Sequence, residues 1–139
     1  MKTKKRILVA PLDWGIGHAT RCIPIIKALM ERQFEVIIAA DNRPLHLLTT
    51  EFPDLEIIRL SGYNIKYPVS LPMSLNMILQ IPKILLGIKK EHKTIEQIIE
   101  DYKIDGVISD NRFGLSTKKV PCVFITHQLQ IQTPFFTDA

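Results

Sequence analysis

Apolar positions fall along this chain in blocks of two kinds. Five blocks are short and densely apolar: RILVAP (6–11), FEVIIAAD (34–41), LEIIRL (55–60), DGVISD (105–110) and VPCVFIT (120–126). Runs of this length read as strands covered on both faces. The other blocks are longer, with apolar residues at helical spacing. Over 18–32, Ile23, Ile26, Leu29 and Met30 share one side, and Lys27, Glu31 and Arg32 face away. Pro24 lies inside that segment and should bend its first turns. Pro44 suits the first turn of a short helix that reaches about Thr50. Residues 61–73 are loop-like, with Gly, Asn and two prolines. Then Met77, Ile81, Ile84, Ile88, Ile95, Ile98 and Tyr102 step along one face of a long helix, with Ser74 as its N-cap. Pro82 should kink this helix, and Gly87 should weaken it.

Short buried strands that alternate with helices imply parallel pairing, with crossover helices on both faces. The expected fold is therefore α/β: a Rossmann-like three-layer sandwich around a mostly parallel sheet of about five strands. No repeat, low-complexity tract or linker divides residues 1–139, so they read as one domain.

Open parallel sheets bind ligands outside the carboxyl ends of their strands. Those ends fall at 12–18, 41–43, 61–72, 110–117 and 127–134, and they gather Asp13, His18, Asp41, Asp110, Asn111, Arg112, His127 and Gln128. The first end is a turn containing Gly15, Ile16 and Gly17. Its glycines let backbone N–H groups approach a ligand, and a helix start adds its positive end, which suits a phosphate. No GK[ST] follows, so the turn is not a Walker A loop. The third glycine of a dinucleotide fingerprint would fall at Thr20, yet Asp41 ends the second strand where a ribose-binding acid would sit. His18, on the ligand side of a helix start, either takes a proton from a hydroxyl or merely caps and packs.

Composition narrows the classes. Hydrophobic residues make up 46% and charged residues 23% of 139, as in a water-soluble globular domain. The net charge of +4 permits an anionic partner, but no basic–aromatic interleaving suggests nucleic acid. Cys22 and Cys122 form no spaced pair and read as two buried thiols in a reducing compartment. No Asp/Glu/His cluster has metal-ligand spacing, and no cofactor is expected. The basic amino terminus lacks an uninterrupted apolar run, because Pro11 and Asp13 break it, so it is not a secretion signal. Residues 71–88 carry only one charge, Lys83, but their prolines and glycine argue against a spanning helix. An interfacial patch beside Lys83, Lys89, Lys90 and Lys93 fits the same pattern.

GIGHATRCIPIIKALMERQFEV, within residues 14–36, resembles the G-x-G-H…P…A-L…R-G-H-x-V opening of GT-B glycosyltransferases. It is most similar to the group that includes the lipid-linked N-acetylglucosaminyltransferase of peptidoglycan synthesis. The strand–helix order carries the resemblance across the chain. ITHQ (125–128) is similar to the family's His-Glu-Gln-Asn stretch, with Gln128 where the acid would be. Gln33-Phe34 departs from the usual Gly-His before strand two.

This resemblance implies an acceptor-side domain of an enzyme that moves a sugar from a nucleotide-sugar donor to a sugar or lipid-linked acceptor, with inversion. Gly15, Ile16 and Gly17 would hold or admit the acceptor. His18 would be the general base, and Asp110 its orienting acid; the plainer role for Asp110 is a turn residue. Arg112 would pair with an anionic acceptor or with Asp110, or else be a solvated loop arginine. Trp14, bordering the turn with Asp13, would stack on a sugar or pack over the helix start. His127 and Gln128 would contact substrate, or His127 would be structural. The donor would bind a second, carboxy-terminal domain that this chain lacks, so the chain alone should be inactive. Phe135-Phe136 beside the chain end fit a truncated domain or a subunit whose partner supplies the other half. The expected location is cytoplasmic, with or without peripheral contact at the inner face of the membrane. Two other classes stay open: the cofactor domain of an NAD(P)-dependent oxidoreductase, and a non-catalytic accessory subunit.

Overall fold

The computed structural model describes residues 3–62 and 70–126. His127, Gln128, Phe135 and Phe136 lie outside them, as does most of the predicted 61–73 loop. The elements run β1 (Arg6–Pro11), α1 (Ile16–Glu31), β2 (Glu35–Ala40), α2 (Asn42–Glu51), β3 (Glu56–Arg59), α3 (Met73–Tyr102), β4 (Gly106–Asp110) and β5 (Cys122–Ile125). Each predicted strand is present: β1 has its predicted bounds, β4 starts one residue later, and β2, β3 and β5 are shortened at both ends.

The sheet is parallel throughout, with spatial order β3-β2-β1-β4-β5. Both faces are covered, so strand side chains divide by alternation between two cores. Leu8, Ala10, Ile37 and Ala39 pack with Ile95, Ile98 and Ile99 of α3. Val9, Val36, Ile38 and Ala40 pack with Ala19, Cys22 and Ile26 of α1 and Leu48 of α2. The first two crossovers thus use one face, and α3 returns the chain across the other to place β4 beside β1. Growth of the sheet reverses between β1 and β4, which is the topological switch point where parallel sheets open a crevice.

α1 starts two residues before the predicted His18, which puts Gly17 in its first turn. It runs through Pro24, which is exposed, and ends in a Schellman arrangement. Gln33 N donates to Met30 O at 3.0 Å and Phe34 N donates to Leu29 O at 3.1 Å. This motif places Gln33 at φ 65°. The family pattern has glycine there, which escapes the left-handed penalty that a Cβ brings. Gln33→Gly is expected to raise unfolding free energy by roughly 0.5–1 kcal/mol. Urea denaturation checks this, and an unchanged or lower stability would contradict it.

α3 departs from its sequence reading in two ways. Pro72 rather than Ser74 is the N-cap, and among the described residues no side chain caps this start; Asn76 Nδ2 donates to Leu71 O at 3.0 Å. The apolar face is buried only in the second half. Ile95, Ile98 and Ile99 reach the core, whereas Met73, Met77, Ile78, Leu79, Ile81, Leu85 and Leu86 are each at least half exposed. The helix passes through Pro82 and Gly87 and ends with Lys103 in the left-handed region. Among the described residues no helix is long and apolar enough to cross a membrane.

Of the two cysteines, only Cys22 is buried. Burial first, then the neighbouring Asp110 charge, pushes its thiol up to about 12, so it stays protonated at neutral pH. Cys122 is exposed among the described residues, on the edge strand β5, which corrects the expectation of two buried thiols.

Candidate active site

At the switch point, Pro11 and Asp110 end β1 and β4 opposite one another, and Leu12 N donates to Asp110 O at 3.0 Å. β1 then turns into α1 through Gly15, at φ 90° and ψ 174°, a conformation available essentially to glycine alone. Gly17 has no such requirement: it is helical, and a Cβ there would meet nothing within 4 Å. Both glycines and Ile16 are exposed. Among the described residues no side chain caps this helix start and no acidic residue occupies its first turn. Its backbone donors therefore keep the polarity that suits an anion.

Within the first turn of α1, His18 is only 8% exposed and faces the end of β4. Its Nδ1 lies 3.2 Å from Asp110 Oδ1. The two sequence candidates for base and orienting acid are thus brought together. Asp110 is 1% exposed, so its charge requires partners inside the protein. Arg21 supplies one: Nη2 reaches Oδ1 at 3.0 Å and Oδ2 at 3.2 Å. The same Nη2 lies 2.9 Å from His18 Nδ1. Sequence reading missed Arg21. The available signal was its i+3 spacing from His18, which puts both on one helix face.

Arg112 is corrected in two of its three expected settings. It neither pairs with Asp110 nor sits solvated in a loop. Its side chain is fully buried and bridges to Glu91 of α3 through Nη2 and Nε, the latter at 2.6 Å. Its other donors hold the chain leaving β3: Nη1 reaches Leu60 O at 3.2 Å and Nη2 reaches Ser61 O at 2.7 Å. Glu91 was also missed, although it interrupts the apolar face between Ile88 and Ile95. A charge within an apolar stripe signals a buried partner.

The remaining candidates frame the crevice. Asp13 Oδ2 accepts from Asn42 Nδ2 at 2.9 Å, while its buried Oδ1 has no hydrogen-bond partner among the described residues. That carboxylate rests on Gly62, where a Cβ would come within 2.0 Å of Oδ1. Asp41 caps α2 by accepting from Asn42 N and pairs with Arg59 Nε, both at 2.9 Å. The acid proposed for a ribose therefore has its Oδ1 engaged within the protein. Asn111, at φ 60°, hands the chain from β4 toward Arg112. Trp14 borders the turn and is 51% exposed.

The comparisons with known proteins agree with this fold. The model of glycosyl transferase family 1 matches residues 5–134. No curated protein matches the chain. Among solved structures it is similar to the glycotransferase of kitacinnamycin, at 17% identity and TM-score 0.62 over 88% of this chain and 30% of that one. It is similar to SnogD from Streptomyces nogalater at 15% identity and TM-score 0.60, over 89% of this chain and 35% of that one. Acinetobacter baumannii MurG gives 15% identity and TM-score 0.52, again over 89% and 35%. At these identities the structural likeness is one of fold, and the chain spans 30–35% of those proteins. The family model, matched across nearly the whole length, adds what fold alone does not: this chain belongs to glycosyl transferase family 1.

Proposed function

We propose that this chain is the acceptor-side domain of a glycosyltransferase that passes a sugar from a nucleotide-sugar to an acceptor hydroxyl with inversion. The observation that carries the reading is the 3.2 Å approach of His18 Nδ1 to Asp110 Oδ1 at the switch point. With a proton on Nδ1 directed at Asp110, the Nε2 lone pair takes the acceptor's proton, and the carboxylate stabilises the imidazolium that forms. The acceptor oxygen attacks the anomeric carbon as the bond to the nucleoside diphosphate breaks. The leaving group departs with the electron pair, and a single displacement inverts the centre. The donor would be held by a second domain or subunit facing this crevice.

The turn Gly15–Gly17 would seat an anionic group of the substrate on the start of α1. Gly17→Ala tests this without disturbing the fold, since the added methyl has open space and alanine favours a helix. The enzyme carrying this domain and its donor-binding half should keep its stability. Its acceptor KM should rise about tenfold or more, with kcat less affected. An unchanged KM would remove the turn from the binding site.

The exposed first half of α3 favours a second element of this reading, peripheral contact with an anionic lipid surface. Seven apolar side chains there are at least half exposed, and Lys83, Lys89, Lys90 and Lys93 are exposed beside them. Binding to vesicles rich in anionic lipid should weaken with salt and with neutralisation of Lys89 and Lys90. Failure to sediment with such vesicles at low salt would end the proposal.

A further inference from the structure

Two neighbours ask opposite things of His18 Nδ1. Asp110 Oδ1, at 3.2 Å, accepts hydrogen bonds and requires a proton on Nδ1. Arg21 Nη2, at 2.9 Å, donates and requires the Nδ1 lone pair. A neutral imidazole carries its proton on Nδ1 or on Nε2, so it satisfies one neighbour at a time. The shorter contact is the one to Arg21. Nη2 also has two hydrogens, one for the carboxylate at 3.0 and 3.2 Å and one for the imidazole. Arg21 therefore satisfies Asp110 and His18 together without a proton on Nδ1.

We infer that Arg21 is a positioning residue that sets the tautomer of His18 and so controls when His18 acts as a base. With Arg21 in place the proton sits on Nε2, and that nitrogen has no lone pair for an acceptor hydroxyl. When Arg21 withdraws, the proton leaves Nε2 and one is taken up at Nδ1, with no net change. Nδ1 then donates to Asp110, and Nε2 becomes the base. The buried carboxylate keeps a donor in both states.

The arginine is placed to make that move. Its side chain is 41% exposed, and helical side chains lean toward their own amino terminus. The guanidinium, held between His18 and Asp110, is therefore directed toward the amino-terminal end of α1 rather than away from it. An anionic substrate group there offers it a two-pronged partner in exchange for His18. This step rests on the proposed role of that turn, and it would make the base competent only when the anion is seated.

The test is ¹⁵N NMR of the imidazole nitrogens in the ¹⁵N-histidine-labelled chain, read with the imidazole in its neutral form. Pyrophosphate is the probe. In the free wild type, His18 should carry its proton on Nε2, and titration with pyrophosphate should move it to Nδ1. Arg21→Met should show the Nδ1–H form before any anion is added, and pyrophosphate should change little. The ratio of forms should shift roughly tenfold or more, the factor a charge-assisted hydrogen bond supplies. Arg21→Lys guards against misfolding of the methionine variant. It keeps a charge beside Asp110 but lacks the fork that reaches both partners, and it should also favour Nδ1–H. The same tautomer in the wild type and the folded variants would overturn the inference, and so would a wild-type tautomer that pyrophosphate leaves unmoved. Retention of transfer by a His18→Ala enzyme would instead overturn the base assignment and leave the tautomer result standing.

Discussion

Replacing His18 by alanine in the enzyme that joins this domain to its donor-binding half is expected to lower kcat by about 10²–10⁴-fold, the usual worth of a positioned general base. The fold should persist. Asp110 is the buried charge at risk, and it keeps Arg21 at 3.0 Å when the imidazole is gone. Acceptor KM should change little, because the base acts on one proton rather than on the body of the substrate. Asp110→Asn should also slow transfer, since an amide orients the imidazole without stabilising its positive charge. Steady-state kinetics with equal amounts of folded protein decide the matter. A His18→Ala enzyme within about threefold of wild-type turnover would mean that the proton leaves by another route.

The second large effect concerns stability and falls on a residue the sequence placed in the site. Arg112→Met is expected to cost about 3–5 kcal/mol, the usual price of breaking a buried ion pair from one side. The variant leaves the Glu91 carboxylate, itself 4% exposed, without its guanidinium. It also strips a donor from each of the carbonyls of Leu60 and Ser61. Domains of this size are stable by only about 5–15 kcal/mol, so the loss should be plain in urea denaturation. Adding Glu91→Leu removes the stranded charge and should recover part of the loss, a coupling on the order of 1–3 kcal/mol. Incomplete recovery is expected because the two carbonyls still lack Arg112. A single variant that costs less than about 1 kcal/mol would show that the pair does not tie α3 to the end of β3.

Much of the architecture was legible because it rests on local patterning. RILVAP and FEVIIAAD hold unbroken apolar runs at 7–11 and 36–40, as strands covered on both faces must, and they became the interior β1 and β2. The boundaries were less legible. Helix starts depend on backbone geometry: Gly15 at φ 90° opens α1 ahead of His18, and Pro72 opens α3 ahead of the better capping residue Ser74. The apolar stripe of α3 runs from Met77 to Tyr102, broken only at Glu91, yet only its second half meets the sheet. Periodicity reports which side of a helix is apolar, not how far the surface beneath it extends.

The candidate site divides along the same line. From the sequence came the glycine turn, His18 just beyond it and the placement of Asp110 at a strand end, because each is fixed by neighbours in the chain. Their meeting is a tertiary fact. Sheet order puts β4 beside β1, register sets Asp110 against Pro11, and the first turn of α1 aims His18 across the gap. Tertiary structure also chose between arginines. Arg112 stood two residues from Asp110 in sequence and turned inward to Glu91, whereas Arg21, 89 residues away, reached Asp110. Sequence can specify which charges exist and which faces of the elements they occupy. Which carboxylate each cation meets depends on how a sheet order and a helix crossover fold distant segments together, since burial makes every such charge seek the partner that packing brings within reach.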